Sequence, residues 1–170
     1  ADEMGLGKTI QMIGLILENF KLHTLIVLPR ALLEQWETVC IKTLGHTPLL
    51  YHGSNVKHIT LETLYQAPLV ITTYGMISKK QIKPSLLHQV RWNRIVLDEA
   101  HHLRNRSARL HKQALCLRAS HIWLITGTPV QNKLTDFYGL CELLGISSAY
   151  SCQHKEDIVQ RLVLRRTKQD

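Results

Sequence analysis

The residues best suited to chemistry near the start of the chain form a glycine-containing loop, Asp-Glu-Met-Gly-Leu-Gly-Lys-Thr at 2–9. Glycines let backbone N–H groups approach phosphate oxygens without a side chain in the way. A following helix would present its N-terminus, where unpaired N–H groups and the helix dipole favour anions. Lys8 supplies a cation for the β- and γ-phosphates, and Thr9 offers a hydroxyl to Mg²⁺. The loop therefore predicts a site for a nucleoside triphosphate.

This loop departs at one position from the strict phosphate-loop pattern, which has glycine five places before Gly7. Asp2 occupies that place. Because Gly-Lys-Thr alone also occurs by chance, the alternative for this segment is a helix N-terminus with an exposed lysine. The residues expected to bind the nucleotide are Asp2, Glu3, Met4, Gly5, Leu6, Gly7, Lys8 and Thr9.

Two adjacent carboxylates, Asp98 and Glu99, stand at the end of a predicted apolar strand, 94–98. A carboxylate there can hold Mg²⁺, partly through water, and Asp98 is the candidate, together with Thr9. Its neighbour Glu99 can orient and deprotonate the water that attacks the γ-phosphate. The predicted catalytic residues are therefore Lys8, Asp98 and Glu99, and the alternative is a strand end followed by a charged loop.

A third motif, Thr-Gly-Thr-Pro-Val-Gln-Asn at 126–132, also follows a predicted strand. In a parallel sheet, ligands gather at the carboxyl ends of the strands. The three motifs are therefore expected to converge on one edge of the sheet, where the third could report the nucleotide state to the rest of the protein.

The elements that must position these motifs alternate between short β-rich runs and helical stretches. Strands are predicted at 24–28, 48–51, 69–73, 94–98 and 121–126, and helices at 8–20, 32–44, 58–66, 107–118 and 134–144. Apolar strands that alternate with helices are typical of an α/β fold with a central, mostly parallel sheet and helices on both faces.

Two further local expectations follow from the pattern of residues. The first helix has an apolar stripe formed by Ile10, Ile13, Leu17 and Phe20. We expect this stripe to face the core, because these positions lie on one side of a helix. The polar stretch 147–157 is expected to be a connector.

Composition narrows the class of protein. The 170 residues suit one domain, and a hydrophobic content of 45% excludes a disordered chain. No apolar run approaches the ~20 residues that a bilayer requires, so no membrane span is expected. The net charge of +8 favours an acidic partner, of which nucleic acid is the commonest, although a basic surface without a partner is the alternative.

The cysteines and histidines do not indicate a metal site. The four cysteines, Cys40, Cys116, Cys141 and Cys152, lack the two-to-four-residue spacing of a zinc knuckle. We expect reduced core thiols in an intracellular protein and no zinc in this segment.

Because the phosphate loop begins at the second residue, the strand that should lead into it is missing, and we interpret the chain as part of a larger protein.

Taken together, the motifs at 2–9, 97–102 and 126–132 resemble motifs I, II and III of the SNF2 family of helicase-like DNA translocases. That family tolerates Asp at the position of Asp2. Leu25–Pro29 together with Leu33–Trp36 is similar to its motif Ia, and Ile71–Gly75 is similar to its next DNA-facing block. Leu-Arg-Arg-Thr-Lys at 164–168 is similar to the basic segment that closes the first lobe.

The resemblance implies a RecA-like P-loop NTPase lobe at 1–146, followed by a connector and basic segment at 147–170. It implies a nuclear, DNA-stimulated ATPase that uses ATP and Mg²⁺, acts on duplex DNA and closes against a second RecA-like lobe that this chain does not contain. The residues implied in coupling are His101, Thr126, Gly127, Thr128, Gln131 and Asn132. The residues implied in contacts with the DNA backbone are Pro29, Arg30, Thr72, Thr73 and Tyr74.

Within the family, the sequences of Trp92–His101 and of 164–168 are similar to those of the branch containing Lodestar, transcription-termination and post-replication-repair translocases. Ala31 stands where many members carry serine, so one hydroxyl contact is lost. Two alternatives stay open. One is a strand-separating helicase of the DEAH type, which usually carries Ser-Ala-Thr where this chain has Thr-Gly-Thr. The other is a remnant that binds nucleic acid without hydrolysing ATP.

Overall fold

The computed structural model of the chain describes residues 2, 6–20, 23–78, 85–127 and 134–166. Its strands are β1 (Thr24–Leu28), β2 (Leu49–Tyr51), β3 (Leu69–Thr73), β4 (Arg91–Leu97) and β5 (Arg118–Leu124). These strands form one sheet in the spatial order β2-β3-β1-β4-β5, and every pairing between them is parallel. The predicted parallel sheet is therefore confirmed.

Helices connect successive strands and flank the sheet. They are α1 (Lys8–Glu18), α2 (Leu33–Leu44), α3 (Leu61–Gln66), α4 (Tyr74–Ile77), α5 (Leu86–Gln89), α6 (Arg109–Leu115), α7 (Leu134–Leu143), α8 (Ser148–Gln153) and α9 (Lys155–Leu162). Short 3-10 turns lie at Arg30–Leu32, Gly53–His58 and Ala100–Leu103. In the part of the chain that the structure describes, no helix is both long and apolar enough to span a bilayer.

The sheet is covered on both faces, and two of its inner strands are buried along their whole length. Every residue of β1 and of β3 is buried. Along β1, Leu25 and Val27 belong to one apolar cluster, whereas Ile26 and Leu28 belong to another that includes α1 and α2. This alternation is the two-residue period of a strand, with a helix layer on each side.

The stretch predicted to be a polar connector, 147–157, instead contributes to two helices, α8 and α9. Ser147 caps α8, because its hydroxyl accepts a hydrogen bond from the backbone N–H of Tyr150. Ile158 of α9 is buried in a small cluster with Phe137 and Cys141 of α7. This part of the chain therefore packs on the domain as regular structure. The proposed division at 146/147 stays a prediction.

The predicted apolar stripe of α1 is only half correct: Ile13 is buried and Phe20 packs against the same cluster, but Ile10 and Leu17 do not. Ile10 and Leu17 are 57% and 52% exposed, and the buried positions are Met12, Ile13 and Ile16. The helix is apolar on most of its circumference, so periodicity alone offers two overlapping faces. Packing against the sheet selects one of them.

Strand β5 is less apolar than the inner strands because it is the edge of the described sheet. Its residues Arg118 and His121 are exposed, and Trp123 is 44% exposed. Trp36 and Trp92, in contrast, are fully buried. The tryptophans thus divide between core and lobe surface.

The four cysteines are free thiols, and only two of them fit the prediction of core thiols. Burial raises the pKa of Cys40 and of Cys141 to about 11, so both stay protonated at neutral pH. Cys116 and Cys152 are exposed.

Candidate nucleotide site

The phosphate loop leads directly into helix α1, which begins at Lys8. Gly7 precedes it with a φ of 69° and a ψ of 30°, a left-handed conformation that favours glycine. A Cβ at Gly7 would meet nothing within 4 Å, so the requirement is one of backbone conformation and not of space. The first turn of α1 contains no acidic residue and its N-cap residue forms no side-chain cap. The N-terminus of this 11-residue helix is therefore suited to an external anion.

Lys8 and Gln11 bond to the loop that precedes them. The Lys8 ammonium donates to the backbone carbonyl of Asp2 at 2.8 Å, and the Gln11 amide donates to the carbonyl of Leu6 at 2.8 Å. Lys8 and Thr9 are half-buried, within reach of a ligand at the helix N-terminus. The predicted nucleotide contacts Glu3, Met4 and Gly5 lie outside the described residues.

The carboxylate of Asp2 faces Arg166 and is buried, although it was predicted to contact the nucleotide. The hydrogen bonds and charge of Arg166, with a smaller contribution from Gln11, outweigh burial and lower the pKa of Asp2. Asp2 is thus an ionised, paired carboxylate, and its side chain is already engaged within the lobe. Its contribution to nucleotide binding stays a prediction.

Asp98 follows β4 and is buried at the carboxyl edge of the sheet, with both carboxylate oxygens engaged. The indole N–H of Trp36 donates to Oδ2 at 2.7 Å, and the backbone N–H of Glu99 donates to Oδ1 at 2.9 Å. The backbone is fixed as well: the Asp98 N–H donates to Val27, and its carbonyl accepts from the Tyr74 hydroxyl at 2.6 Å. The carboxylate therefore has one defined orientation.

The environment of Asp98 contains interactions that raise its pKa and others that lower it. Burial raises the pKa of this carboxyl, and the charge of Glu99 adds to the increase, whereas hydrogen bonds from Trp36 and the Glu99 N–H, and the charge of Lys8, lower it. A buried carboxylate pays for its desolvation only when cationic or hydrogen-bonding partners are present. The site is therefore electrostatically complementary to a bound cation.

Glu99 lies at a sharp turn of the chain. Its φ of 49° and ψ of 48° are left-handed, a conformation that costs a non-glycine residue roughly 1–3 kcal/mol. Among the described residues it is the only non-glycine with a positive φ. Because of this turn, the backbone at Glu99 no longer follows the extended conformation of β4. The Glu99 carboxylate lies 3.1 Å from Nδ1 of His101.

Contacts between His101 and Thr126 join the acidic motif to the third motif. Nδ1 of His101 lies 3.4 Å from the Thr126 hydroxyl, and the backbone N–H of Ala100 donates to the carbonyl of Ile125 at 2.8 Å. His101 and Thr126 were both predicted as coupling residues, and the structure brings them together. Gly127 follows directly, whereas the other predicted members, Thr128, Gln131 and Asn132, lie outside the described residues.

Lys8 and Asp98 lie at the same edge of the sheet. The positive charge of Lys8 is close enough to lower the pKa of Asp98. Lys8 and Thr126 also line one cavity of about 360 Å³, whose other walls are mostly apolar and include Met12 and Trp123. The first and third motifs therefore border one cavity, and the acidic motif contacts the third through His101 and Thr126.

No group of three or more His, Cys, Asp or Glu side chains within the described ranges could hold a metal ion. A site made of one hydroxyl, one carboxylate and the oxygens of a bound phosphate chain would not form such a group. The donors available here, Thr9 and Asp98, are oxygen ligands of the kind that Mg²⁺ prefers. They fit Mg²⁺ held together with a phosphate chain.

The residues predicted to contact the DNA backbone divide into exposed and buried positions. Arg30 is exposed and Pro29 is half-buried. Thr72 is fully buried, and its hydroxyl donates to the carbonyl of Tyr51. The Tyr74 hydroxyl is likewise used inside the lobe, on Asp98. The side chains of Thr72 and Tyr74 are therefore structural, and only their backbone could serve the predicted contact.

Thr73 is also buried, at 3% exposed, but it lies at the wall of a surface cleft of about 430 Å³. The cleft is also lined by Arg30, His52 and Gly75, and the Thr73 hydroxyl lies 3.3 Å from Nδ1 of His52. His52 was not predicted, because its position beside Thr73 depends on the pairing of β2 with β3.

Two further residues of the nucleotide site were not predicted from sequence. Trp36 has an N–H that orients Asp98, which is 62 positions away. Arg166 was assigned only to a basic segment, yet it pairs with Asp2, which is 164 positions away. No local pattern connects such distant positions.

The chain matches the family described as SNF2-related domain over residues 1–169. It is 31% identical to DNA repair protein rad8 of Schizosaccharomyces pombe over 99% of this chain and 19% of that protein. It is 34% identical to DNA excision repair protein ERCC-6-like of Danio rerio over 94% of this chain and 12% of that protein. The chain thus spans less than a fifth of these relatives.

Among solved structures, the chain is similar to the Sulfolobus solfataricus SWI2/SNF2 ATPase core in complex with dsDNA. The TM-score is 0.82 and the sequence identity is 27%, over 100% of this chain and 40% of that one. The fold is therefore that of the SWI2/SNF2 ATPase core, as the motifs predicted.

Proposed function

Because the chain belongs to the SNF2-related domain family, we propose that it is the ATP-binding lobe of a DNA-dependent ATPase. The whole protein would move along duplex DNA and remodel protein–DNA complexes in chromatin, repair or transcription. The observation that carries this proposal is that Lys8 shares a cavity with Thr126, which lies 3.4 Å from His101 of the acidic motif. A cation for phosphates and a carboxylate for Mg²⁺ are both required to bind a metal–triphosphate complex.

The residues that would hold ATP and Mg²⁺ belong to both motifs. First-turn N–H groups of α1 and the Lys8 ammonium would bind the phosphates, and Thr9 and Asp98 would hold Mg²⁺, partly through water. When bound, Mg²⁺ neutralises charge that develops on the phosphate oxygens. Lys8 already hydrogen-bonds the Asp2 carbonyl, so it would exchange that acceptor for a phosphate oxygen.

Glu99 is the proposed base. Its side chain is about a quarter exposed, so it can reach a water molecule at the cleft. His101 lies beside Oε2 at 3.1 Å, and we assign acceptance of the proton to Oε1. His101 also lies beside Thr126. A change in the interaction of Glu99 with the attacking water would therefore be transmitted to the third motif through the His101 imidazole.

Duplex DNA is the proposed partner. Support comes from the dsDNA complex of the Sulfolobus solfataricus relative and from this chain's net charge of +8. The cleft formed by Arg30, His52 and Thr73 offers a cation and hydroxyl that suit phosphates without reading bases. We further propose a nuclear location, from the DNA repair relatives, and a second RecA-like lobe in the complete protein.

Nucleotide binding tests this proposal. Binding of a fluorescent ATP analogue with Mg²⁺ should be weaker by about 100-fold in Lys8→Ala, because a charge-assisted phosphate contact is lost. Lys112→Ala, an exposed lysine on α6, is the matched control and should bind like the wild type. Equal affinity of Lys8→Ala and the wild type would refute the proposed site. Strand separation by the complete protein would instead favour a DEAH-type helicase.

A further inference from the structure

The segment that follows α9 returns to the beginning of the phosphate loop. The backbone N–H of Arg166 donates to Oδ1 of Asp2 at 2.9 Å, and its Nε donates to Oδ2 at 3.1 Å. Nη2 of Arg166 donates to the same Oδ2 and to the side-chain oxygen of Gln11 at 2.6 Å. One arginine therefore joins both ends of the described chain and the first helix.

Burial makes this pairing important for Asp2. The Asp2 side chain is 3% exposed, whereas that of Arg166 is 46% exposed. Removal of the arginine would leave a nearly buried carboxylate without its cationic partner, which is costly. The geometry is also demanding, because two guanidinium nitrogens and one backbone N–H converge on one carboxylate.

Asp2 and Gln11 connect this pair to the phosphate-binding residues. The backbone carbonyl of Asp2 accepts from the Lys8 ammonium at 2.8 Å. The Gln11 amide donates to the carbonyl of Leu6 at 2.8 Å and to Asp2 Oδ2 at 3.4 Å. Arg166 thus reaches both sides of the loop, Asp2 directly and Leu6 through Gln11.

We propose that Arg166 is a positioning residue for the phosphate loop, so that triphosphate affinity depends on the segment 163–166. This inference rests on the proposed nucleotide site. It gives a reason for Asp2, the departure from the strict loop pattern: the carboxylate receives the arginine, which fixes the loop and cancels a charge that would repel phosphate. A displacement of residues 163–166 would then weaken nucleotide binding at the other end of the chain.

The test compares two neighbouring arginines in the full chain, with binding of a fluorescent Mg²⁺–ATP analogue as the readout. Arg166→Ala should weaken binding about tenfold, the effect of one lost charge-assisted contact. Arg165→Ala removes the same charge from the adjacent, exposed position and should change affinity less than about twofold. Arg166→Lys, which keeps the charge without the guanidinium geometry, should give an intermediate affinity.

A double-mutant cycle tests whether Arg166 acts through Asp2. In Asp2→Asn/Arg166→Ala the affinity should be no weaker than in Arg166→Ala alone, because both changes break one interaction. Independent, additive losses would overturn the inference. So would an Arg166→Ala affinity equal to that of Arg165→Ala, even with a lower thermal midpoint, because Arg166 would then only stabilise the fold.

The wild type and Lys8→Ala separate this failure from failure of the proposed function. If the wild type binds the analogue no better than Lys8→Ala, the nucleotide site is wrong and the inference falls with it. If those two proteins differ as expected but Arg166→Ala matches Arg165→Ala, only the inference fails. Should Arg166→Ala not fold, Arg166→Lys and Asp2→Asn carry the same comparison.

Discussion

The acidic pair and the phosphate loop, the two sides of the candidate site, are held in place by different parts of the chain. Asp98 is oriented from within the core, by the buried Trp36 and by backbone that belongs to the sheet. The loop is instead held by Arg166, from a segment beyond the last helix. A disturbance of residues 163–166 should therefore reach the loop and leave the acidic pair unchanged.

Because of this difference, the geometry of each side of the site depends on a different set of residues. Asp98 keeps its geometry as long as the sheet is folded, because its partners are the buried Trp36 and backbone that belongs to the sheet. The loop can respond to whatever displaces the segment after α9, because its partner is half-exposed. Substitutions on each side should consequently change different measurements, and the predictions below run from the largest expected effect to the smallest.

The largest effect is expected on the acidic side, in Glu99→Gln. Loss of the proposed base should lower single-turnover hydrolysis of ATP by at least about 100-fold, while ATP affinity changes less than about threefold. Single-turnover assays with excess protein are suited to this lobe, since we expect the isolated chain to turn over ATP very slowly. Glu156→Gln, an exposed glutamate on α9, is the control. Persistent hydrolysis in Glu99→Gln would show that Glu99 has another role.

A smaller effect should follow from Trp36→Phe, which keeps an aromatic ring but removes the N–H that orients Asp98. We expect the Mg²⁺ concentration that half-saturates nucleotide binding to rise about tenfold, as for other groups that orient a metal ligand. Trp92→Phe is a close control, because Trp92 is equally buried and its N–H donates at 3.0 Å to the carbonyl of Leu87.

Both tryptophan variants should lose similar stability, roughly 1–3 kcal/mol for a buried hydrogen bond left incomplete. Only Trp36→Phe should change the Mg²⁺ dependence. An equal shift of the half-saturating Mg²⁺ concentration in both variants would mean that Trp36 only packs in the core. The proposal that the core orients Asp98 would then lose its main support.

The smallest effect is a pH dependence on the loop side. Arg166 lowers the pKa of Asp2 below its ordinary value of 3.8, so the pair stabilises the fold above about that pH. This stability should be lost as the pH falls through the lowered folded-state pKa, when Asp2 becomes protonated. The difference in unfolding free energy between the wild type and Asp2→Asn should accordingly be largest near neutral pH and shrink in acid.

Asp157→Asn provides the matched control for this pH series. Asp157 pairs with Arg161 at 2.6 Å, four residues away on α9, but its side chain is 38% exposed. Solvent screens such a pair, so its removal should change stability by less than about 0.5 kcal/mol at any pH. Equal pH profiles for the two variants would contradict a special role for the buried Asp2.

The sequence predicted those parts of the fold whose signal is local. The runs at 24–28 and 69–73 became β1 and β3 with unchanged bounds, because uninterrupted β-branched and apolar residues suit a fully buried strand. The face of α1 could not be predicted, since a helix apolar on most sides has no single stripe until the sheet selects one. The helices after Ser147 were missed because their sequence is polar and only Ile158 of α9 enters the core.

In the candidate site, too, only the residues with a local sequence signal could be predicted. Lys8, Asp98 and His101 could be singled out because each belongs to a short motif. The residues that orient the site, Trp36 and Arg166, could not, because each meets its partner only through the fold. Tyr74 shows the converse error: a residue assigned to the surface by its neighbours in sequence uses its hydroxyl inside the core.

The most direct test of the central claim is a crystal structure of the chain with Mg²⁺ and a non-hydrolysable ATP analogue. We expect one triphosphate whose β- and γ-oxygens accept from Lys8, with Asp98 on the metal or its water and Glu99 facing the γ-phosphate. A nucleotide bound elsewhere, or a metal remote from Asp98 while Lys8 still contacts the phosphates, would contradict the account.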